Sequence, residues 1–255
     1  MINGPRPGAS TLKRLIQMHS KHSDYQLLHP SIGTLLGDLP SPVGKHEAQR
    51  QRYMAKHLSL RGLSLLDIGA NTGYFSFAAL EAGAAHVVSQ EGNAEHAHFI
   101  TLAAQGLGVN DRLEVRPHYY SFTDPGAHFD VTLCLNVLHH LGDDFGDQAL
   151  SLGEAKAQMS FALNCLARHT RHLWMQLGFN WKGDRHRPLF ESGTKAELIE
   201  HVREGVEGHW RIDDIAVVNP QTREYEPIND HNLQRFDSLG EFLNRPLFHL
   251  TSLHE

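Results

Sequence analysis

The sequence is short of several things, and each shortage excludes something. Two cysteines, Cys134 and Cys165, occur in 255 residues. Two thiols so far apart make neither a disulfide framework nor a CxxC metal site. No apolar run approaches the ~18–20 residues a membrane-spanning helix needs. The opening MINGPRPGASTLKRL lacks the continuous apolar stretch of a secretory signal. Both absences lead to the expectation of a cytoplasmic protein. Basic charge is scarce too: 23 Lys and Arg against 29 Asp and Glu leave a net charge of -6 with histidine neutral. General nucleic-acid binders show the opposite balance, so the composition disfavours RNA or DNA as partner. There is no internal repeat, no low-complexity tract and no HExxH. Histidine alone is in surplus, at 20, and is scattered along the chain. Net charge therefore swings strongly between about pH 7 and 6.

What is present is an alternation. After a helical stretch at 11–22, the Gly-, Pro- and Ser-rich segment 29–45 reads as a loop, and 46–58 as a polar helix with Tyr53, Met54 and Leu58 inward. Strands are then expected at 64–68, 86–91, 112–117, 129–138, 172–179 and 211–219, with a final edge strand at 246–253. Helices are expected at 73–82, 94–106, 147–168 and 195–204. Strands alternating with helices imply a parallel sheet covered on both faces. The expected fold is a doubly wound, Rossmann-like α/β sheet of about seven strands. Residues 1–58 read as a helical cover on a main domain spanning 59–255.

The most informative segment is LLDIGANTGYFSF (65–77). A strand ends near Asp67, and the chain turns through Gly69 and Gly73 into a helix. Gly69 allows a sharp turn and close approach of a ligand to the backbone; Gly73 sits where the helix starts close to the sheet. The spacing is GxxxG, not the GxGxxG of dinucleotide binders, and Tyr74 and Phe75 stand where a third glycine is wanted. The next strand ends at Glu91, where a carboxylate can accept both hydroxyl hydrogens of a ribose. An NAD-dependent oxidoreductase is the competing interpretation, and the missing third glycine speaks against it.

Asp67, the two glycines and the second-strand acid together resemble the class I S-adenosylmethionine-dependent methyltransferases. FDVTLCLNVLHHL (129–141) resembles that family's fourth strand and following loop, and the resemblance covers roughly residues 60–180. It implies S-adenosyl-L-methionine as cofactor, with Asp67, Gly69, Ala70, Asn71 and Gly73 around its methionine part. It further implies Glu91 on the ribose, Gly92 and Asn93 beside the adenine, and the His118–Tyr119 turn packed near it. Asn136 would face the cofactor, and Arg52 would reach its carboxylate.

Moving a methyl group from a sulfonium to a hydroxyl requires alignment and removal of a proton. His139 and His140, just past the fourth strand, are the candidate catalytic residues, with His139 slightly preferred as base. A divalent ion on His139, His140, Asp143 and Asp144 is the alternative, but the pattern fits a helix-preceding acidic pair better, and no metal is expected. The loop WKGDRHRPLFES (181–192) is the most basic short stretch, suited to phosphate or carboxylate. NVLHHLGDD, GYFSF and RPLFHLTS resemble most nearly the methyltransferases that modify bacterial surface polysaccharides, implying a saccharide or other hydroxylated small-molecule acceptor. The helix containing RY, with LDIG and GYFS, also resembles transfer-RNA wobble-uridine methyltransferases. A non-catalytic relative that only binds the cofactor is the third alternative.

Overall fold

The computed structural model describes residues 9–17, 26–36, 46–124 and 126–254. Met1–Tyr120 and Ser121–Glu255 form two compact units.

In the first unit the order is α1 (Ala9–Gln17), α2 (Pro30–Leu36), α3 (Glu47–His57), β1 (Ser64–Ile68), α4 (Tyr74–Glu81), β2 (His86–Gln90), α5 (Ala94–Leu107) and β3 (Leu113–Arg116). The strands pair in parallel with β2 between β1 and β3, so that Asp67 lies opposite Ser89 and Ser89 opposite Val115. Leu65, Leu66, Ile68, Val87 and Val88 are all buried, as strands covered on both faces must be. Every residue of α4 except Glu81 is buried. Asn93 caps α5, its side-chain oxygen accepting from the amides of Glu95 and His96.

The N-terminal expectations change in detail. Part of the expected loop at 29–45 is helical, because Pro30 stands at a helix's first position, where its missing N–H costs nothing. Ile32 and Leu36 then bury one face of that turn. Residues 37–45 lie outside the described residues, as does the 18–22 end of the expected first helix.

The second unit contains β4 (Phe129–Leu135), a 3-10 turn (Leu138–His140), α6 (Leu152–Leu166), β5 (Thr170–Gln176), a second 3-10 turn (Trp181–Gly183) and α7 (Lys195–Val206). It continues with β6 (Trp210–Val218), β7 (Tyr225–Pro227), a third 3-10 turn (Asp237–Leu239), α8 (Gly240–Leu243) and β8 (Leu247–Ser252). Helix α6 starts five residues later than expected, because Ser151 and Glu154 form a reciprocal capping box that sets its first turn.

The larger correction concerns the sheet. Strand order in this unit is β4-β5-β8-β6-β7, and β8 runs antiparallel between β5 and β6. The segment expected as an edge is an interior strand, with Leu247, Phe248 and Leu250 fully buried. Its composition is that of a strand covered on both faces. The short β7, absent from the sequence expectation, takes the edge by pairing antiparallel with β6. The described residues thus include eight strands: three parallel in the first unit, and five in the second, where β4 and β5 pair in parallel and every pairing beyond β5 is antiparallel. No helix among them is long and apolar enough to cross a membrane.

Phe248 lies opposite Met175 on one side and Ile215 on the other. Phe248→Ala is expected to cost about 3–5 kcal/mol, the range for truncating a fully buried aromatic. Denaturant unfolding checks this; a loss below about 1 kcal/mol is what an edge strand would give.

Candidate functional site

In the first unit, the turn after β1 is held from below by a single carbonyl. The oxygen of Gln90 accepts from the amides of Gly69 at 2.8 Å and Ala70 at 3.3 Å. The chain then passes through Asn71, at φ 54°, and Gly73, at φ 82°. A Cβ at Gly73 would sit 3.0 Å from Phe77 and 3.2 Å from Ile100. Glycine is therefore required there both by conformation and by space.

The carboxylate of Glu91 ties this turn to the next one. Its Oε2 accepts from the amide of Asn71 at 2.7 Å and its Oε1 from the amide of Asn93 at 2.8 Å. Gly92 lies between them, and a Cβ there would run into the ring of Tyr119. Tyr119, 52% exposed, consequently lies over bare backbone. Gln90 anchors that ring's segment, its Nε2 donating to the oxygen of His118 at 2.6 Å and contacting His118 Nδ1 at 2.8 Å.

Asp67 faces the interior. Ser76 Oγ donates to its Oδ2 at 2.7 Å, and Ser89 Oγ donates to Ser76 Oγ at 2.6 Å. Burial pushes the Asp67 carboxyl up to about 6, with the Ser76 hydroxyl opposing part of the rise.

Three residues of this region were missed in the sequence. Gln26 is buried, and its Oε1 accepts from Thr72 Oγ1 at 3.2 Å and from the Tyr74 amide at 3.0 Å, capping α4 in place of a side chain at Gly73. Nothing local to its sequence signals that role. Gln90 adjoins Glu91 and is buried beside it. Arg50 is 3% exposed, with its guanidinium 5.3 Å from the centre of the Phe75 ring, whereas Arg52 is exposed. The inward positions Tyr53 and Met54 place Arg50 on their own face, three and four residues earlier. Helical periodicity thus carried a signal for Arg50 that favoured it over Arg52.

In the second unit, Asn136 follows β4 at φ 64°. Its Oδ1 accepts from Arg245 Nη1 at 2.8 Å, and its Nδ2 donates to Gln176 Oε1 at 3.3 Å. Arg245 also pairs with Glu241 at 2.6 Å, and Glu241 accepts from the Phe179 amide at 3.0 Å. The amide of Asn136 is therefore fixed at both ends by this unit's own residues.

His139 and His140 are adjacent, with ring centres 4.4 Å apart, but their bonding differs. His139 is 1% exposed and its Nδ1 receives the Gly178 amide at 3.2 Å. A backbone N–H can only donate, so a neutral His139 has its proton on Nε2. His140 Nδ1 lies 3.3 Å from Asp144 Oδ2, at ion-pair distance. The charge of that carboxylate, rather than a hydrogen bond, favours the proton on Nδ1. The ligating atoms of His140, Asp143 and Asp144 all fall within 4.8 Å of one another; His139 is not part of that group.

The basic loop packs beside these histidines. Trp181 Nε1 donates to the Leu141 oxygen at 2.7 Å, and Lys182 Nζ sits 4.5 Å from the Trp181 ring centre. Arg187 pairs with Asp184 at 3.6 Å. Arg185, His186 and Arg187 are exposed.

No protein-family model matches the sequence, and no curated protein does. Solved structures do resemble it. A Pyrococcus horikoshii protein assigned as an RNA methyltransferase aligns over 95% of this chain and 97% of its own, at TM-score 0.50 and 11% identity. The bifunctional kinase-methyltransferase WbdD aligns over 94% of this chain at TM-score 0.54 and 17% identity. This chain spans only 46% of WbdD's length. The chain has the class I methyltransferase fold. The [4+2]-cyclase SpnF, at TM-score 0.55, 13% identity and 82% coverage of both chains, has a similar fold. A class I methyltransferase fold is thus compatible with other chemistry, and function must be argued from the site.

Asp67 yields a prediction about stability in this fold. A carboxyl raised from 3.8 to about 6 binds its proton more tightly when folded. The protein therefore loses stability as pH rises between those values, by about 3 kcal/mol at most, and the loss is complete above the folded value. Asp67→Asn cannot ionise. Its melting temperature relative to the parent is expected to rise from pH 4 to pH 7, as followed by thermal melts across that range.

Proposed function

We propose that this chain is an S-adenosylmethionine-dependent methyltransferase acting on a hydroxyl group of a saccharide or another small molecule. The observation that carries the reading is Glu91, a buried carboxylate at the end of β2 that two turn amides orient beside a glycine-bearing loop. An ionised carboxylate only accepts hydrogen bonds, which suits the hydroxyl hydrogens of a ribose. Glu91 would bind that ribose. Gly92, Asn93 and Tyr119 would flank the adenine, with the Tyr119 ring already against Gly92. Gly69, Ala70, Asn71 and Gly73 would present backbone to the methionine part, with Asp67 holding the turn through Ser76. Arg50, in preference to Arg52, would meet the cofactor carboxylate from α3. In this reading residues 1–58 act as a cover on a domain of 59–255, and Gln26 and Arg50 are its contributions.

The cofactor, when bound, supplies a methyl group on a good sulfur leaving group. The chain's own residues must bring an acceptor hydroxyl into line and take its proton. We assign the proton to His140 Nε2, since Asp144 sits against the other ring nitrogen; this reverses the preference for His139 drawn from sequence. His139, with its proton on Nε2, would donate a hydrogen bond to the acceptor or hold its position. Asn136, fixed by Arg245 and Gln176, completes the polar edge of the second unit. A transfer-RNA nucleoside remains the second reading, favoured by the exposed Arg185, His186 and Arg187.

Titration calorimetry with S-adenosylhomocysteine tests the cofactor. Micromolar binding is expected, weakened at least tenfold in Glu91→Ala; binding of NAD alone would remove the assignment. With an acceptor in hand, His140→Ala is expected to lower kcat by about 10²–10⁴ with cofactor affinity unchanged. A larger loss in His139→Ala would return the base to that residue. Steep salt dependence of acceptor binding would favour RNA over a saccharide.

A further inference from the structure

A second chemically organised cluster lies on the sheet of the second unit, away from the histidines of the 3-10 turn. His172 is the third residue of β5, about 13 Å of strand from Gln176 at the other end. His172 lies opposite Thr251 of β8, and Trp174 lies opposite His249. Residues opposite one another share a face, so both histidines and Thr251 are on the same side of the sheet. On β6 the register shifts between Ile212 and Asp214. Asp213 is the extra residue of this bulge, a device that re-aims a side chain. Its carboxylate reaches the same face and accepts from Thr251 Oγ1.

The hydrogen bonds fix where the protons are. Thr251 has one hydroxyl proton, and it goes to Asp213 Oδ2. Towards His172 Nδ1, 3.0 Å away, Thr251 can therefore only accept. His172 must have its proton on Nδ1, and the lone pair of the neutral ring is on Nε2. Burial, reinforced by Arg171 and Arg211 and opposed by Asp213 and Asp130, holds His172 below its ordinary value. His249 is buried and stacked on Trp174, with ring centres 4.2 Å apart and planes at 4°. The two imidazoles have centres 5.5 Å apart. One ligating atom from each of His172, Asp213 and His249 lies within 4.8 Å of the others.

We propose that His172, His249 and Asp213 form a binding site for a divalent transition metal of the zinc class, with Thr251 as the outer residue that orients a ligand. Two imidazoles and one carboxylate are a donor set for such ions rather than for calcium or magnesium. Thr251 plays the part that the second nitrogen's partner plays in metal sites generally: it fixes the tautomer and the ring. Arg211, 2.5 Å from Asp213 Oδ1 and largely exposed, is the group a cation displaces. Bringing the three atoms to about 2.0–2.2 Å from one ion draws them together by roughly an ångström, with water as fourth ligand. The ion would bridge β5, β8 and β6.

The test uses the full chain freed of metal by chelator and then titrated with Co²⁺, whose visible spectrum reports coordination, and separately with Zn²⁺ in thermal melts. One equivalent of Co²⁺ in a tetrahedral-type spectrum is expected, with a Zn²⁺-dependent rise in melting temperature. His172→Gln and Asp213→Asn should each weaken binding at least tenfold, and Thr251→Val several-fold while leaving all three ligands in place. Metal-free circular dichroism identifies any variant that fails to fold, and the others then decide. The proposal is overturned if no equivalent binds or if folded His172→Gln retains it. Loss of that equivalent only in Asp143→Asn or Asp144→Asn would also overturn it, placing the ion at the other cluster.

Discussion

Two backbone amides from separate turns converge on the carboxylate of Glu91, and much of the first unit is organised by that convergence. One amide belongs to the turn after β1, the other to the cap of α5. The Gln90 carbonyl grips the first turn from the strand next to Glu91, and the Gln90 side chain grips the His118 segment. Three loops at one end of a parallel sheet are thereby fixed by two consecutive residues. A buried carboxylate with amide donors on both oxygens is a charge-assisted arrangement and holds its geometry without help from a ligand. Loops held in this way keep one arrangement, and such preorganisation would lower the ordering cost of any ligand bound there.

The second unit uses polar groups differently. Around Asn136 the network is closed on itself: Arg245, Glu241, Gln176 and the Phe179 amide satisfy one another. Beside it, two adjacent histidines acquire opposite proton arrangements from their partners, an amide donor for one and a carboxylate for the other. Neighbouring residues of one type thus have different polar partners, a hydrogen bond for His139 and a nearby charge for His140, and a partner fixes the tautomer again at His172.

The parallel strands were legible because their apolar runs are short, continuous and bounded by turn residues, as at Ser64–Ile68 and Phe129–Leu135. Glu91 and the glycine turn were legible because they are close together in sequence and each has a local chemical meaning. The interior position of β8 was not, since apolar runs do not distinguish an edge from a centre when both faces are covered. Gln26 was beyond reach because its partners, Thr72 and Tyr74, lie more than forty residues away. The burial of Arg50 was within reach, because its helix face was already marked by Tyr53 and Met54, whereas Arg52 is exposed. The different surroundings of His139 and His140 depend on Gly178 and Asp144, and only the first of these is distant in sequence.

The insertion of β8 between β5 and β6 also bears on how the protein is made. Residues 170–176 and 210–218 cannot be joined into one sheet until residues 247–252 have left the ribosome and slid between them. Until then, both strands present an unpaired side rich in buried-type residues such as Leu173, Met175 and Ile215. Contacts of this sequence separation form slowly, and exposed strand edges are where nascent chains associate wrongly. The second unit is therefore committed to late completion during synthesis, whereas the parallel strands of the first need nothing beyond residue 116 to pair.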